Sequence, residues 1–265
     1  MKSIFHLIIV CLTMTLYLTG CTKTKEPNSI KWSRESSSSQ SCRKAGDSYT
    51  NSIGMTFVPI PNKPYAMQTT EVTIEQWFKV LGEPISWDLY SAKDNQNYPM
   101  TLILYWEITD FINTLNYIEK TNVYRLPSKS EWTHACRAGT YTKWHFGNNE
   151  DDLKENAWFF KNSGGNIQVV GQKSANPWGL FDMYGNAAEF TSTCGLYYSS
   201  DVLFTYSKNT ERCKCYIVKG GSATSRANQM SDTSEYFKLI GSPAYSIGFR
   251  LVMDDPTPND SYKEK

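Results

Sequence analysis

Histidine is scarce in this sequence, three in 265 residues. His6 lies in the first twenty residues, which leaves His134 and His145 as the only imidazoles for proton transfer or metal ligation. Beside a tryptophan and on a helix, each is expected to pack or face solvent rather than ligate. No Ser, His and Asp stand in a hydrolase order, and no phosphate loop is visible. Excess charge of one sign is missing as well. Lys and Arg number 27 against 26 Asp and Glu, a formal charge of +1 without a basic run, so nucleic acid is not an expected partner. The one long apolar run, Phe5 to Leu18, is too short and too early for a membrane span. After Gly139 no long periodic segment remains, so the second half is expected to be irregular and held by loops.

What is present begins with an export leader, Lys2 followed by that apolar run. Its end, Leu18-Thr-Gly-Cys21, resembles the lipobox of bacterial lipoproteins. The resemblance implies a signal peptide over 1–20, acylation of Cys21, and anchoring of the mature chain in the bacterial cell envelope, with the outer-membrane surface as the expected location. Residues 21–52, with Ser36 to Ser39, have almost nothing to bury and read as a flexible tether. The folded part is expected over 53–253 and a disordered polar tail over 254–265. Cys42, Cys136, Cys194, Cys213 and Cys215 remain, an odd set that leaves at least one thiol free or externally paired. In an exported chain a disulfide from Cys194 to Cys213 or Cys215 would contribute about 3 kcal/mol by closing the loop between them.

Local signals place three helices in the first half. Met55, Phe57, Val58 and Ile60 predict a strand that Pro59 and Pro61 confine to an edge or end early. Thr73-Ile-Glu-Gln76 is a capping box, and the stripe Ile74, Trp77, Phe78 and Leu81 predicts a short helix that Gly82 stops. Ile108, Phe111, Ile112 and Leu115 predict a helix over 105–118. Ser128-Lys-Ser-Glu131 caps a third, with Trp132, Ala135 and Cys136 on its inner face. The core is expected to close on a strand, Ile247-Gly-Phe-Arg-Leu-Val252.

The chain is organised around Asn176-Pro-Trp-Gly-Leu-Phe-Asp-Met-Tyr-Gly-Asn-Ala-Ala-Glu189, which reads as a turn, a short buried strand and a tight loop. Asp182 and Glu189 flank that loop, and Gly185 lets main-chain carbonyls turn toward one point, as a hard cation such as calcium requires. An acidic turn with capping roles is the plainer reading of the same residues. Asn156 offers a side-chain oxygen to a second cation, or forms a turn.

Taken in order, Thr70-Glu-Val-Thr-Ile-Glu-Gln-Trp77, Tyr124-Arg-Leu-Pro-Ser-Lys-Ser-Glu-Trp132, Trp178-Gly-Leu-Phe-Asp-Met-Tyr-Gly-Asn186, Lys219-Gly-Gly-Ser222 and Gly248-Phe-Arg250 resemble the formylglycine-generating-enzyme (sulfatase-modifying factor) domain. The resemblance implies an α+β fold related to the C-type lectins, with low regular secondary structure, two to three short helices and small antiparallel sheets. It also implies structural calcium. Asp182 and Glu189 with the carbonyls of Gly185 and Ala187 match one family site, and Asn156 with the Ala157 carbonyl matches part of another. The catalytic pair does not carry over. The family's two copper-holding cysteines fall here on Ser225 and Met230, and a serine cannot replace a soft thiolate. The iron-dependent branch takes its histidines from an added helical domain, for which no counterpart is expected.

The segment from Ala223 to Tyr245 mixes small, polar and aromatic residues as a paratope does. With the lipobox and the missing cysteines, the chain resembles the variable proteins of diversity-generating retroelements, in which this segment is rewritten. The resulting expectation is a surface lipoprotein without catalytic residues. It would bind an unknown surface ligand, protein or glycan, through Ala223, Ser225, Arg226, Asn228, Asp232, Tyr236, Phe237 and Tyr245. A divergent metal-dependent oxidoreductase or maturation factor of the same family is the enzyme alternative. A fixed structural envelope lipoprotein is the third.

Overall fold

The computed structural model describes residues 48–82, 96–198, 203–207 and 213–255. The leader, Cys21 with its lipobox, most of the expected tether, Cys42 and the last ten residues of the expected tail lie outside these. In chain order the elements are β1 (Tyr49–Thr50), β2 (Thr56–Pro59), β3 (Tyr65–Gln68), α1 (Ile74–Leu81), α2 (Tyr105–Ile118), β4 (Tyr124–Arg125) and α3 (Lys129–Arg137). Then come α4 (Leu153–Asn156), α5 (Phe160–Ser163), β5 (Ala188–Tyr198), β6 (Leu203–Ser207), β7 (Cys215–Lys219), β8 (Glu235–Leu239), β9 (Ile247–Gly248) and β10 (Val252–Asp254). No described helix is long and apolar enough to cross a membrane.

Two of the three longer helices start at a side-chain cap. Thr73 and Gln76 exchange side-chain and backbone hydrogen bonds at the start of α1, and Ser128 and Glu131 do the same for α3. Orphan N–H groups are thereby satisfied at both helix starts. The buried face of α1 is Ile74, Trp77 and Val80, whereas Leu81 is exposed, so the expected stripe is rotated by one residue at its end. Trp77 stacks on Phe111 of α2 with ring centroids 5.1 Å apart, and both rings meet Phe249 edge-on. These rings join α1, α2 and the C-terminal segment in one apolar cluster.

Two antiparallel sheets carry the rest. The first has the order β1-β2-β3-β10-β4, so the last strand of the domain lies between elements from its first half. The second has the order β6-β5-β7-β8, and β9 adds in parallel to the start of β5. A second apolar cluster gathers Trp132, Cys136, Trp144, Met183, Tyr184 and Met230.

Several expectations are corrected. The second half is not loop-held throughout, because β5 runs for 11 residues and β7 and β8 extend its sheet. Its residues Ala188-Glu-Phe-Thr-Ser-Thr-Cys194 do not form a clean alternation, since the register shifts between Phe190 and Cys194. Residues 178–183 form no strand, and β5 begins after them at Ala188. The closing strand is split in two, with Phe249, Arg250 and Leu251 between β9 and β10. β1 falls inside the stretch read as tether, and it places β2 inside the sheet rather than at its edge. Asp254, read as the start of the tail, ends β10 and forms an ion pair with Arg125. The disulfide joins Cys194 to Cys213, and Cys136 and Cys215 are buried free thiols.

Trp77→Ala removes a ring from the α1–α2 cluster and is expected to destabilise the domain by about 3–5 kcal/mol. Urea unfolding followed by Trp fluorescence measures this, and a change near zero would mean the cluster is not the core of the first half.

Candidate functional site

The 182–189 loop folds around a buried charge cluster. Arg250 is completely buried between β9 and β10, and its guanidinium grips the Glu189 carboxylate at 2.7–2.9 Å through Nε and Nη2. It also donates to the carbonyls of Gln68, Thr69 and Phe181. Trp132 of α3 completes the Glu189 carboxylate with an N–H at 2.7 Å. Such a geometry is what a buried ion pair needs to offset the loss of hydration.

Glu71, from the Thr70-Glu-Val-Thr block, joins this cluster. Its Oε1 accepts the Ala187 N–H at 3.2 Å, and its Oε2 is buried without a partner. Asp182 accepts the Gly171 N–H through Oδ2 at 2.6 Å, and its Oδ1 is likewise buried and unpartnered. Burial, reinforced by the Asp182 charge, holds the Glu71 carboxyl well above the usual carboxylate range. Burial also pushes Asp182 up to about 6, against the Gly171 hydrogen bond and the Arg250 charge. The backbone turns sharply here, with positive φ at Asp182, Gly185 and Asn186. At Gly185 a Cβ would also meet the Trp158 carbonyl and the Met230 methyl, so only glycine fits.

Two of the expected calcium ligands differ in their surroundings. Asp182 keeps a free oxygen, but the Glu189 carboxylate is taken by Arg250 and Trp132. Among the described residues, no three His, Cys, Asp or Glu side chains converge as a metal cluster. At the second expected position, the Ala157 carbonyl accepts from Asn162 and the Asn156 amide donates to the Asp152 carbonyl, which are helix-end roles in and after α4. His134 packs on Trp178, and burial lowers the His145 pKa to about 4 beside Tyr184.

The 223–245 segment presents a different surface. Ala223 is buried, its carbonyl accepting from Ser163 at 2.8 Å, and Asp232 is buried in an ion pair with Arg137. These two do not face solvent and are scaffold groups. Ser225 is half-buried, its hydroxyl accepting the Ser222 N–H in a turn. Phe237 is half-buried against Gly195, where a Cβ would come within 2.5 Å of its ring. Arg226, Asn228, Tyr236 and Tyr245 are exposed. Leu239 and Ile240 are exposed beside them, and Leu102, joined to Ala244 by a backbone hydrogen bond, adds an exposed side chain from another part of the chain. Sequence reasoning missed these three apolar residues because isolated Leu and Ile read as core.

Positions 225 and 230 carry no thiol, and Met230 is fully buried, with its carbonyl accepting from Trp144 Nε1. The free thiols among the described residues, Cys136 and Cys215, are both buried, and burial pushes Cys136 up to about 12.

Residues 41–255 match the sulfatase-modifying factor enzyme 1-like domain. The chain belongs to that family. Curated relatives include chaperone protein LppX of Paenibacillus barcinonensis, 28% identical over 169 residues that take in 45% of this chain and 59% of that one. The formylglycine-generating enzyme of Mycobacterium tuberculosis is 36% identical over 80 residues, 26% of this chain and 27% of that protein. The chain thus spans less than two thirds of the curated relatives it matches. Among solved structures, Treponema denticola variable protein 1 superposes with a TM-score of 0.63 at 20% identity, covering 80% of this chain and all of that one. PvdO from Pseudomonas aeruginosa gives 0.63 at 17%, covering 80% and 99%. These likenesses show that the sulfatase-modifying factor fold, with its C-type-lectin-like arrangement, is the fold of this chain.

Arg250→Met leaves Glu189 buried with Trp132 as its remaining side-chain donor, and is expected to cost about 3–5 kcal/mol. Adding Glu189→Leu to the same chain should return most of that loss. Urea denaturation of the three proteins decides it, and a double variant no more stable than the single one would refute the ion-pair account.

Proposed function

We propose that this chain is a lipid-anchored binding protein of the bacterial cell envelope, displaying the 224–245 surface to a protein or glycan on a scaffold without the family's cysteine pair. We further propose that this segment is diversified at the level of its gene. The observation that carries the reading is the division of labour within the segment. Its backbone is held from inside by Ala223, Met230 and Asp232 and by the pairing of β8 with β7. Arg226, Asn228, Tyr236, Leu239, Ile240 and Tyr245 point their side chains to solvent. A rigid support for exchangeable aromatic and short polar groups suits recognition by a variable surface.

The leader and Leu18-Thr-Gly-Cys21 support anchoring. The fold shared with a protein named as variable supports diversification. Against the enzyme reading stand Ser225 and Met230 at the two cysteine positions and the burial of both remaining free thiols among the described residues.

The test is a library randomised at 226, 228, 236, 239, 240 and 245, scored for folding and for selection against envelope proteins and glycans. Most members should melt within a few degrees of the parent, since exposed substitutions fall within about 0.5 kcal/mol. Ala223→Leu, which overpacks a buried site, should lose at least about 1–3 kcal/mol. Unfolding of most library members, or selections that yield no binders from a folded library, would contradict the proposal.

A further inference from the structure

The 224–245 segment sorts its charges by sign. Both of its carboxylates are taken up by cations of the scaffold: Asp232 pairs with Arg137, and Glu235 pairs with Lys129 at 2.9 Å and lies 3.6 Å from the buried Lys219. Its two cations are left over. Arg226 is exposed, and the Nζ of the half-buried Lys238 donates to the Ser242 hydroxyl and the Pro243 carbonyl, at 3.3 and 3.5 Å. Neither cation has a carboxylate partner among the described residues. Lys214, just before β7, adds an exposed cation at the same strand edge, its carbonyl accepting the Ile240 N–H at 3.2 Å.

Apolar side chains accompany Lys238. Side chains alternate along a strand, so Tyr236, Lys238 and Ile240 share one side of β8, whose ladder continues through Ile240 to Lys214. Lys238 lies opposite Tyr216, and the Tyr216 ring stacks on Tyr105 at the start of α2. Leu102, just before α2, reaches the same edge. Its N–H donates to the Ala244 carbonyl at 3.1 Å, one residue beyond the Pro243 carbonyl that Lys238 contacts. Tyr236, Ile240 and Leu102 expose 41%, 38% and 38% of their surface. Exposed apolar residues scattered singly need no explanation, but three gathered about one ammonium make a patch of mixed character.

The chemistry of this patch separates the two kinds of ligand. A sugar offers hydroxyls, which lose hydration against leucine and isoleucine without regaining hydrogen bonds there. A protein segment that carries a carboxylate beside apolar side chains meets both the ammonium and the hydrocarbon. Resting on the binding function proposed above, we propose that the partner is a protein, which docks an acidic, apolar-flanked segment on Tyr236, Lys238, Ile240 and Leu102. Lys238 supplies the charge. Leu102 lies outside 224–245, so it is a contact that diversification of the segment leaves in place.

The full chain is screened against a displayed random peptide library and, separately, against an array of neutral and acidic glycans. Enriched peptides should carry Asp or Glu next to Leu, Ile or an aromatic residue, and should bind more weakly as salt is raised. Lys238→Glu puts a like charge in the patch and should weaken the best of these peptides by about tenfold or more. Lys238→Gln should lie between that variant and the parent. Leu102→Asn keeps a residue type that tolerates the positive φ at 102 and should weaken the same peptide by about fivefold. All three variants should melt with the parent, and the Gln form carries the comparison if the Glu form does not fold. Enriched peptides without acidic residues, or an acidic peptide held as tightly by both Lys238 variants as by the parent, would overturn the proposal. Binding to glycans alone would overturn the protein assignment while leaving the binding function intact, and binding to neither collection would contradict both.

Discussion

The fold depends on a single buried guanidinium. Arg250 cannot stay charged in an apolar interior unless carboxylate and carbonyl oxygens surround it. The groups that do so come from distant parts of the chain: Gln68 and Thr69 at the end of β3, Phe181 in the loop, and Glu189 at the start of β5. Trp132 ties α3 to the same carboxylate. Both sheets, one helix and the 182–189 loop are therefore positioned by one set of charge-assisted hydrogen bonds. That constraint gives an architecture of short elements a defined arrangement, because any slip of one element leaves a buried charge unpaired.

The 224–245 segment benefits from this arrangement. It leaves the interior after Ala223 and returns to it at Ile247, and the strands on either side, β7 and β9, both pair with β5. Between them, Lys219 Nζ donates to the Asp232 carbonyl at 2.5 Å, and Glu235 pairs with Lys129 at 2.9 Å. These interior contacts fix the path of the backbone without using the outward side chains. Sequence change at Arg226, Asn228, Tyr236 or Tyr245 is thereby separated from the stability of the domain, which is what a recognition surface on a constant scaffold requires.

Much of the first half was legible because its signals are local. The capping boxes at Thr73 and Ser128 and the 3.6-residue stripe ending at Leu115 each name a helix without reference to the rest of the chain. The second sheet was not legible. Its longest strand changes register at Thr191 to Thr193, so the alternation that marks a half-buried strand is broken. The charge cluster was half legible: Asp182 and Glu189 flank the loop in the sequence, but the partner of Glu189 was hidden in the apolar run Ile247-Gly-Phe-Arg-Leu-Val252. A charged residue there is a signal in itself, since an arginine in a core segment demands a carboxylate elsewhere. Glu71, between Thr70 and Val72, gave the same kind of signal. Ala223 and Asp232 were read as surface because composition does not distinguish a loop's inward residues from its outward ones.

The central claim is that the exposed positions of 224–245 vary while the interior ones are kept. It is tested most directly by sequencing the 3′ end of the gene, with its downstream flank, in many clones of the source organism. The account predicts substitutions concentrated in the codons of Arg226, Asn228, Tyr236, Leu239, Ile240 and Tyr245, with those of Ala223, Met230, Asp232 and Arg250 unchanged and a template repeat nearby. An invariant segment without a repeat, or changes spread evenly over buried and exposed codons, would contradict it.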